Sequence, residues 1–391
     1  MRVLISGGGS GGHIYPALAV AAQLRTTYDA DILYLGSDDG LEMQLVPAAG
    51  FRMATIKAGK LQRYLSLKTV KGIARVPVGI VQAIGIVREF HPDVTFTSGG
   101  YVAVPAGLAS KLNGVPLLLH QQDVPPNLSN KLIAPLAARI SVAFEASQQH
   151  FPAHKTLLLG NPIRQEILNV RRVSIQQARS NLNLDPELPL ILVTGGSQGA
   201  RYLNRVVVQA LPELLKTCQI LQISGQKLFD ETRTLADNTT AELDTVLKQR
   251  YRLVPYLSDE MPMALQAAAL VVCRAGAATL SELAVLEKPN LLVPLPPSLG
   301  ISPQEINAET FHSAKAAEVI RNDALTPEVL IIRVQRMLNS ARLLEMAQAL
   351  KGLARPTATR DIVDAVVQLA RTNVMNVSEP ESEPEDKGIN A

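Results

Sequence analysis

Arg2-Val-Leu-Ile-Ser-Gly-Gly-Gly-Ser-Gly-Gly-His13 is the stretch on which the fold reading turns. Arg2–Ser6 is a short aliphatic run of the kind that forms a buried strand. It passes directly into glycines, which let a backbone turn tightly and approach a ligand closely. A helical pattern follows over Pro16–Arg25. The same plan recurs at mid-chain. Leu190–Thr194 reads as a strand, Thr194-Gly-Gly-Ser-Gln-Gly-Ala200 as a loop, and Ala200–Leu215 as a helix.

Working outward, Asp31–Leu35, Asp93–Thr97, Val115–His120 and Arg139–Phe144 read as further strands of the first series. Gln219–Ser224, Arg252–Val254, Leu270–Cys273 and Asn290–Val293 continue the second. Helical patterns over Val102–Leu112, Asn130–Ala138 and Thr279–Leu286 lie between them. Such alternation implies parallel sheets covered by helices on both faces. The expected fold is therefore α/β: two doubly wound, Rossmann-like domains facing a cleft. The expected bounds are 1–163 and 164–356, with a helix at about 357–371 returning to the first domain. From Thr372 the chain turns acidic and proline-bearing, and 372–391 reads as a disordered tail. Ligands of such sheets bind at the carboxyl ends of strands, which puts the substrate in the cleft.

The 391 residues suffice for about two domains. Apolar residues make up 47%, but aromatics only 4% and Trp is absent, so the cores must be aliphatic. A formal net charge of +3 is too small for bulk nucleic-acid binding, and no nucleic-acid partner is expected. Cys218 and Cys273 are widely separated, which suits a reducing compartment and gives no metal spacing. The apolar stretch at the N-terminus is too short for a signal peptide. The longest apolar candidate, Val76–Val87, is interrupted by Gln82 and falls short of a membrane span. A cytoplasmic protein able to touch a membrane surface is expected.

Three loops carry candidate chemistry. The first glycine cluster lacks the Lys of a P-loop, and a nicotinamide fingerprint threads through it only loosely. His13, at the end of that cluster, is of the type that serves as a general base near neutral pH, or as a packing or capping histidine. In the second cluster, Ser197 and the backbone amides suit a phosphate, since helix N-termini present free N–H groups to anions. The third loop runs Cys273-Arg-Ala-Gly-Ala-Ala-Thr-Leu-Ser-Glu282. There Glu282 is placed either to accept from both hydroxyls of a ribose or to complement the helix dipole.

These loops, with Gly160-Asn-Pro-Ile-Arg164 and Thr97-Ser-Gly-Gly-Tyr-Val102, resemble the MurG family of GT-B peptidoglycan glycosyltransferases from Arg2 to about Leu369. The resemblance implies transfer of N-acetylglucosamine from UDP-GlcNAc to the muramyl 4-hydroxyl of lipid I, giving lipid II with inversion. It implies that Ser10, Gly11 and Gly12 lie in the sugar-nucleotide and acceptor cleft, with His13 as candidate base. Arg164 and Ser197 would hold the diphosphate, and Leu257 would mark the uracil contact. Ala277, Ala278, Thr279, Leu280, Ser281 and Glu282 would line phosphate and ribose, and Gln304 would bind the transferred sugar. No cofactor and no protein-bound metal are implied.

Two departures from the family pattern stand out. His-Glu-Gln-Asn becomes His120-Gln-Gln-Asp123, and an acidic residue before Gln304 becomes Ser302-Pro303. An ionised Asp accepts hydrogen bonds but cannot donate as Asn does, so Asp123 bears on which sugar fits. The stretch Lys60–Arg88 interleaves basic and apolar residues, a pattern for adhering to anionic lipid. A peripheral enzyme on the cytoplasmic side of the cell membrane is implied. Another UDP-sugar or acceptor, or a silent UDP-sugar-binding paralogue, are the competing readings.

Overall fold

A computed structural model describes residues 1–378 except 10, 59–66, 197, 297–302 and 340, and for 67–75 and 374–378 it describes the backbone alone. The first sheet is built from β1 (Arg2–Ser6), β2 (Asp31–Ser37), β3 (Arg52–Ile56), β4 (Val94–Thr97), β5 (Leu117–Gln121), β6 (Arg139–Val142) and β7 (Thr156–Leu158). Its order is β3-β2-β1-β4-β5-β6-β7, and every pairing is parallel. The second sheet uses β8 (Leu190–Thr194), β9 (Gln219–Ile223), β10 (Tyr251–Val254), β11 (Leu270–Cys273), β12 (Asn290–Leu292) and β13 (Glu318–Val319). Its order is β10-β9-β8-β11-β12-β13, again parallel throughout.

The two orders are the same design. Each chain starts mid-sheet, runs outward to one edge, then crosses back to the other side. The reversal lies between β1 and β4 in one domain and between β8 and β11 in the other. A crevice opens at the carboxyl ends where strand order reverses. Those ends carry Gly7 and Ser98 in the first domain, and Gly195 and Arg274 in the second.

The period of two along β1 explains the layers. Val3 and Ile5 enter one core with Ile14, Val20 and Leu24 of the helix Gly11–Tyr28. Leu4 enters the opposite core with Ala83 and Val87 of the helix Leu67–Phe90 and Val102 and Ala106 beside it. Removing such a fully buried leucine costs about 2–5 kcal/mol. Ile362, Val363 and Val366 belong to the same core as Val3 and Ile5, so the helix Ala358–Ser378 packs on the first domain. Ile163, Ile167 and Ala178 already belong to the core of the second domain.

The departures from the sequence reading have physical causes. The pattern does not show β3, β7 or β13, which are edge strands only partly buried and so carry little alternation. The first helix begins at Gly11, so Gly11, Gly12 and His13 form its first turn rather than a loop. Pro16 sits inside that helix, and its missing N–H falls opposite the carbonyl of Gly12, in the turn facing the cleft. The expected helix Asn130–Ala138 is a helix over Leu128–Ile133 followed by a short 3-10 turn, Ala134–Leu136, which carries Pro135. Residues 372–378 continue the last helix instead of opening a disordered tail. Asn373 donates its side-chain amide to the Asp93 carbonyl and ties that turn down. Residues 379–391 lie outside the described residues.

Candidate active site between the two domains

A cleft of about 360 Å³ lies where the two crevices face each other. The first domain supplies Gly11, Gly12, His13, Tyr15, Gln122 and Asp123. The second supplies Thr194, Gly196, Leu257, Gly276–Thr279, Glu282 and Gln304, and Arg164 stands between them.

His13 is held on two sides by Ser98, at the end of β4. Its Nδ1 lies 2.8 Å from the Ser98 carbonyl oxygen, and Ser98 Oγ donates to the His13 carbonyl at 2.6 Å. A carbonyl only accepts, and at 2.8 Å it is nearer Nδ1 than the Gln122 amide nitrogen at 3.2 Å, so Nδ1 carries the proton in the neutral ring and Nε2 is left as the basic nitrogen. Gln122 donates to the same Ser98 carbonyl at 3.1 Å. These contacts suit a general base whose tautomer is chosen by the backbone.

On the opposite wall, the helix Ala277–Val285 starts at Gly276 with no side-chain cap. Its first-turn amides are free to meet an anion, and the helix dipole favours one there. Glu282, one turn further in, is paired with Arg164. Nε and Nη2 of the guanidinium lie 3.0 and 2.9 Å from one carboxylate oxygen. Burial raises the Glu282 carboxyl above its ordinary value, and the Arg164 charge pulls it back down. Arg164 also lies over the Tyr15 ring, 5.7 Å from its centre. Tyr15 in turn meets the Tyr256 hydroxyl of the second domain at 3.2 Å. Burial and that hydrogen bond push the Tyr15 phenol up to about 12.

The second glycine loop closes against the end of β9. A Cβ on Gly199 would lie 2.0 Å from the Ser224 carbonyl oxygen, and its φ is +74°. Only glycine fits there. Gln304 accepts from the Leu295 amide through Oε1, which leaves its NH2 group for the cleft.

The structure sorts the sequence-predicted residues. Gly11, Gly12, His13, Asp123, Arg164, Leu257, Ala277, Ala278, Thr279, Glu282 and Gln304 line one cleft. Leu280 does not: its side chain is fully buried in the second core and its amide is spent on Gly276. An apolar residue at that position of an amphipathic helix points inward. Ser281 donates to the Ala277 carbonyl and borders a separate small cavity beside Asn161. Ser10, Ser197 and Ser302 lie outside the described residues.

The altered motif is also placed. His120 is fully buried between Ser141 Oγ at 2.8 Å and Asn161 Oδ1 at 2.9 Å, and burial lowers its pKa to about 4. Gln121 donates to the carbonyls of Asp123 and Pro125, at 2.7 and 3.3 Å, a task a Glu side chain would not perform. Asp123 Oδ1 accepts from Asn307 Nδ2 at 2.8 Å, across the domain boundary, and burial raises its carboxyl. Asn307 Oδ1 also accepts from the Val124 amide at 2.9 Å, and its Nδ2 donates to the Ala275 carbonyl. Asn307, Tyr15, Tyr256 and Gln122 are site residues that sequence reasoning missed. Gln122 sits inside the His120–Asp123 motif and Asn307 three residues after Gln304, but their partners come from other elements.

Two facing parallel domains, a nucleotide-type helix start on one side and a held histidine on the other define a GT-B glycosyltransferase. Residues 3–142 match the glycosyltransferase family 28 N-terminal domain, and residues 190–362 match the glycosyltransferase family 28 C-terminal domain. The chain is 39% identical over 375 residues to the UDP-N-acetylglucosamine–N-acetylmuramyl-(pentapeptide) pyrophosphoryl-undecaprenol N-acetylglucosamine transferase of Desulfitobacterium hafniense, covering 95% of this chain and 100% of that one. Its fold is similar to the crystal structure of MurG from Acinetobacter baumannii, with a TM-score of 0.72, 27% identity, and coverage of 94% and 99% of the two chains. A UDP-GlcNAc 2-epimerase from Neisseria meningitidis shares the fold alone, at 13% identity, a TM-score of 0.66, and coverage of 94% and 100%. The chain belongs to the MurG family of glycosyltransferases, within glycosyltransferase family 28.

Proposed function

We propose that the enzyme transfers N-acetylglucosamine from UDP-GlcNAc to the 4-hydroxyl of the muramyl sugar of lipid I, with inversion, to form lipid II in peptidoglycan synthesis. The observation that carries this reading is the meeting of His13 and the Arg164–Glu282–helix-start wall in one cleft. His13 Nε2 takes the proton of the attacking hydroxyl. The hydroxyl oxygen bonds to the anomeric carbon from the face opposite the diphosphate, and the carbon–oxygen bond to UDP breaks. The charge that leaves with UDP falls beside the amides at Gly276–Thr279 and beside Arg164. In this reading Glu282 takes the ribose once Arg164 turns to phosphate, and Gln304 and Asp123 take the sugar.

A transfer assay with a lipid I analogue and a panel of UDP-sugars tests this. UDP-GlcNAc is expected to be used best. Faster turnover of UDP-glucose or UDP-galactose would overturn the donor assignment, and no turnover of any would overturn the reaction.

The acceptor is lipid-linked, and one face of the first domain suits a membrane. No helix among the described residues is long and apolar enough to cross one. Val78, Val81, Leu112, Leu128 and Leu132 are exposed on three helices that pack side by side. Exposed Arg88, Lys111 and Lys131 lie on the same three helices. Apolar residues beside cations bind anionic lipid surfaces, which supports peripheral attachment to the cytoplasmic leaflet. Lys60 and Arg63 of the basic stretch lie outside the described residues. Co-sedimentation with liposomes that shows no dependence on anionic lipid would count against this attachment.

A further inference from the structure

Glu42 is the first residue of the short helix Glu42–Ala48 and lies completely buried beneath the first glycine loop. Its Oε1 accepts from the Ser37 amide at 3.0 Å and from Ser37 Oγ at 2.6 Å. Its Oε2 accepts from the amide of Gly9 at 3.2 Å. The Tyr101 hydroxyl meets Ser37 Oγ at 2.7 Å and extends the chain of hydrogen bonds to the loop after β4. A buried carboxylate is costly unless its oxygens are satisfied, and here three donors converge on it.

The backbone around it is shaped to admit that side chain. A Cβ on Gly40 would lie 2.3 Å from the carboxylate atoms. One on Gly36 would lie 2.8 Å from Glu42 Cγ, and one on Gly8 would lie 2.7 Å from Oε1. Three glycines thus leave the volume that one glutamate fills. The loop is held at its other end by Tyr34, buried, which donates its hydroxyl to the Gly7 carbonyl.

We propose that Glu42 is a positioning residue for the transfer reaction: by holding the Gly9 amide it fixes the glycine loop and aims the helix start at Gly11–His13 into the cleft. The two glycine loops therefore work differently. In the first, the Gly9 N–H is spent on the Glu42 carboxyl and is not offered to substrate. This agrees with the cleft lining, which includes Gly11, Gly12 and His13 but not Gly7, Gly8 or Gly9. The role in transfer rests on the function proposed above, while the hold on the loop does not.

The test compares wild type with E42Q and Gly40→Ala. The second variant keeps the charge but drives a methyl into the carboxylate and displaces it. Three quantities are read: transfer kinetics with UDP-GlcNAc and a lipid I analogue, UDP affinity by calorimetry, and deuterium uptake of the peptide spanning 7–13. Both variants are expected to lower kcat by about tenfold or more, as misplacement of a reacting group does. The exchange rate over 7–13 should rise, while UDP affinity stays within about twofold, because the nucleotide wall is on the other domain. Unchanged kcat and uptake in both variants would overturn the proposal. So would a fall in UDP affinity that matches the fall in kcat, since that is the mark of general damage to the fold. A wild type that uses no lipid-linked acceptor would sink the function reading instead, and the uptake over 7–13 would still decide whether Glu42 holds the loop.

Discussion

His13 and Ser98 hold each other through two hydrogen bonds, one from the imidazole Nδ1 to the Ser98 carbonyl at 2.8 Å and one from Ser98 Oγ to the His13 carbonyl at 2.6 Å. The two residues are 85 positions apart in sequence: His13 lies in the first turn of the helix that follows β1, and Ser98 directly follows β4, the neighbouring strand across the topological switch. This double clamp is why one nitrogen of His13 is left basic and kept in place.

His13→Ala should therefore lower kcat by about 10²–10⁴-fold, the usual worth of a positioned base. UDP affinity by calorimetry should stay near that of wild type. Ser98→Ala removes only the hydroxyl arm of the clamp and should cost about tenfold or less. Equal losses in both variants would show that the clamp, rather than the imidazole, sets the rate.

Arg164 and Glu282 are paired in the cleft, and the proposed function assigns them to diphosphate and ribose, so on that reading UDP binding separates them. Glu282→Ala removes the expected ribose acceptor and should weaken UDP binding by about 10–100-fold, the worth of hydrogen bonds to a charged group. Measured affinity equal to wild type would exclude Glu282 from the nucleotide site.

Asn307 joins the domains through Val124 and Asp123 while its amide is also anchored on Ala275 of its own domain, with its side chain fully buried. Asn307→Ala leaves a buried amide and a buried carboxyl without partners and should cost about 3 kcal/mol in urea unfolding. Asn307→Asp should be worse at neutral pH than at pH 4.5, because it sets a second carboxylate against Asp123. A neutral effect in both would show that the boundary is held elsewhere.

His120 should make the fold acid-sensitive. Its folded pKa is about 4 because burial disfavours the charged ring, whereas the unfolded chain takes up a proton near pH 6.5. Between those values the unfolded state binds more protons, so stability falls as pH falls from about 6.5 to about 4. The loss from this one group is about 3 kcal/mol over that window. Urea midpoints of wild type and His120→Gln should converge as pH is lowered across it, and parallel curves would refute the assignment.

Much of the architecture was legible because strands buried on both faces announce themselves as aliphatic runs, as in Leu190–Val193. The glycine loops were legible because their spacing departs from what an ordinary turn needs. The edge strands β3 and β7 were not, since half their surface meets solvent and their sequences are mixed. Leu280 was misplaced for a related reason: a motif counts residues along the chain, whereas a helix turns every fourth one inward. Glu42 gave no signal at all. A lone glutamate in a polar stretch looks like a surface residue until its three donors and three glycines are brought around it.

By itself the sequence determined the two-domain parallel fold, the family, and the positions of His13, Arg164 and Glu282. These rest on local period, glycine placement and motif spacing, all of which are written along one chain. Tertiary structure alone decided which nitrogen of His13 is basic, that Arg164 and Glu282 neutralise each other, and that Asp123 is bound to Asn307 across the boundary. Each of those depends on a partner 85 to 184 residues away. Hydrogen bonds and ion pairs act over a few ångströms of space, and no distance along the chain reports them.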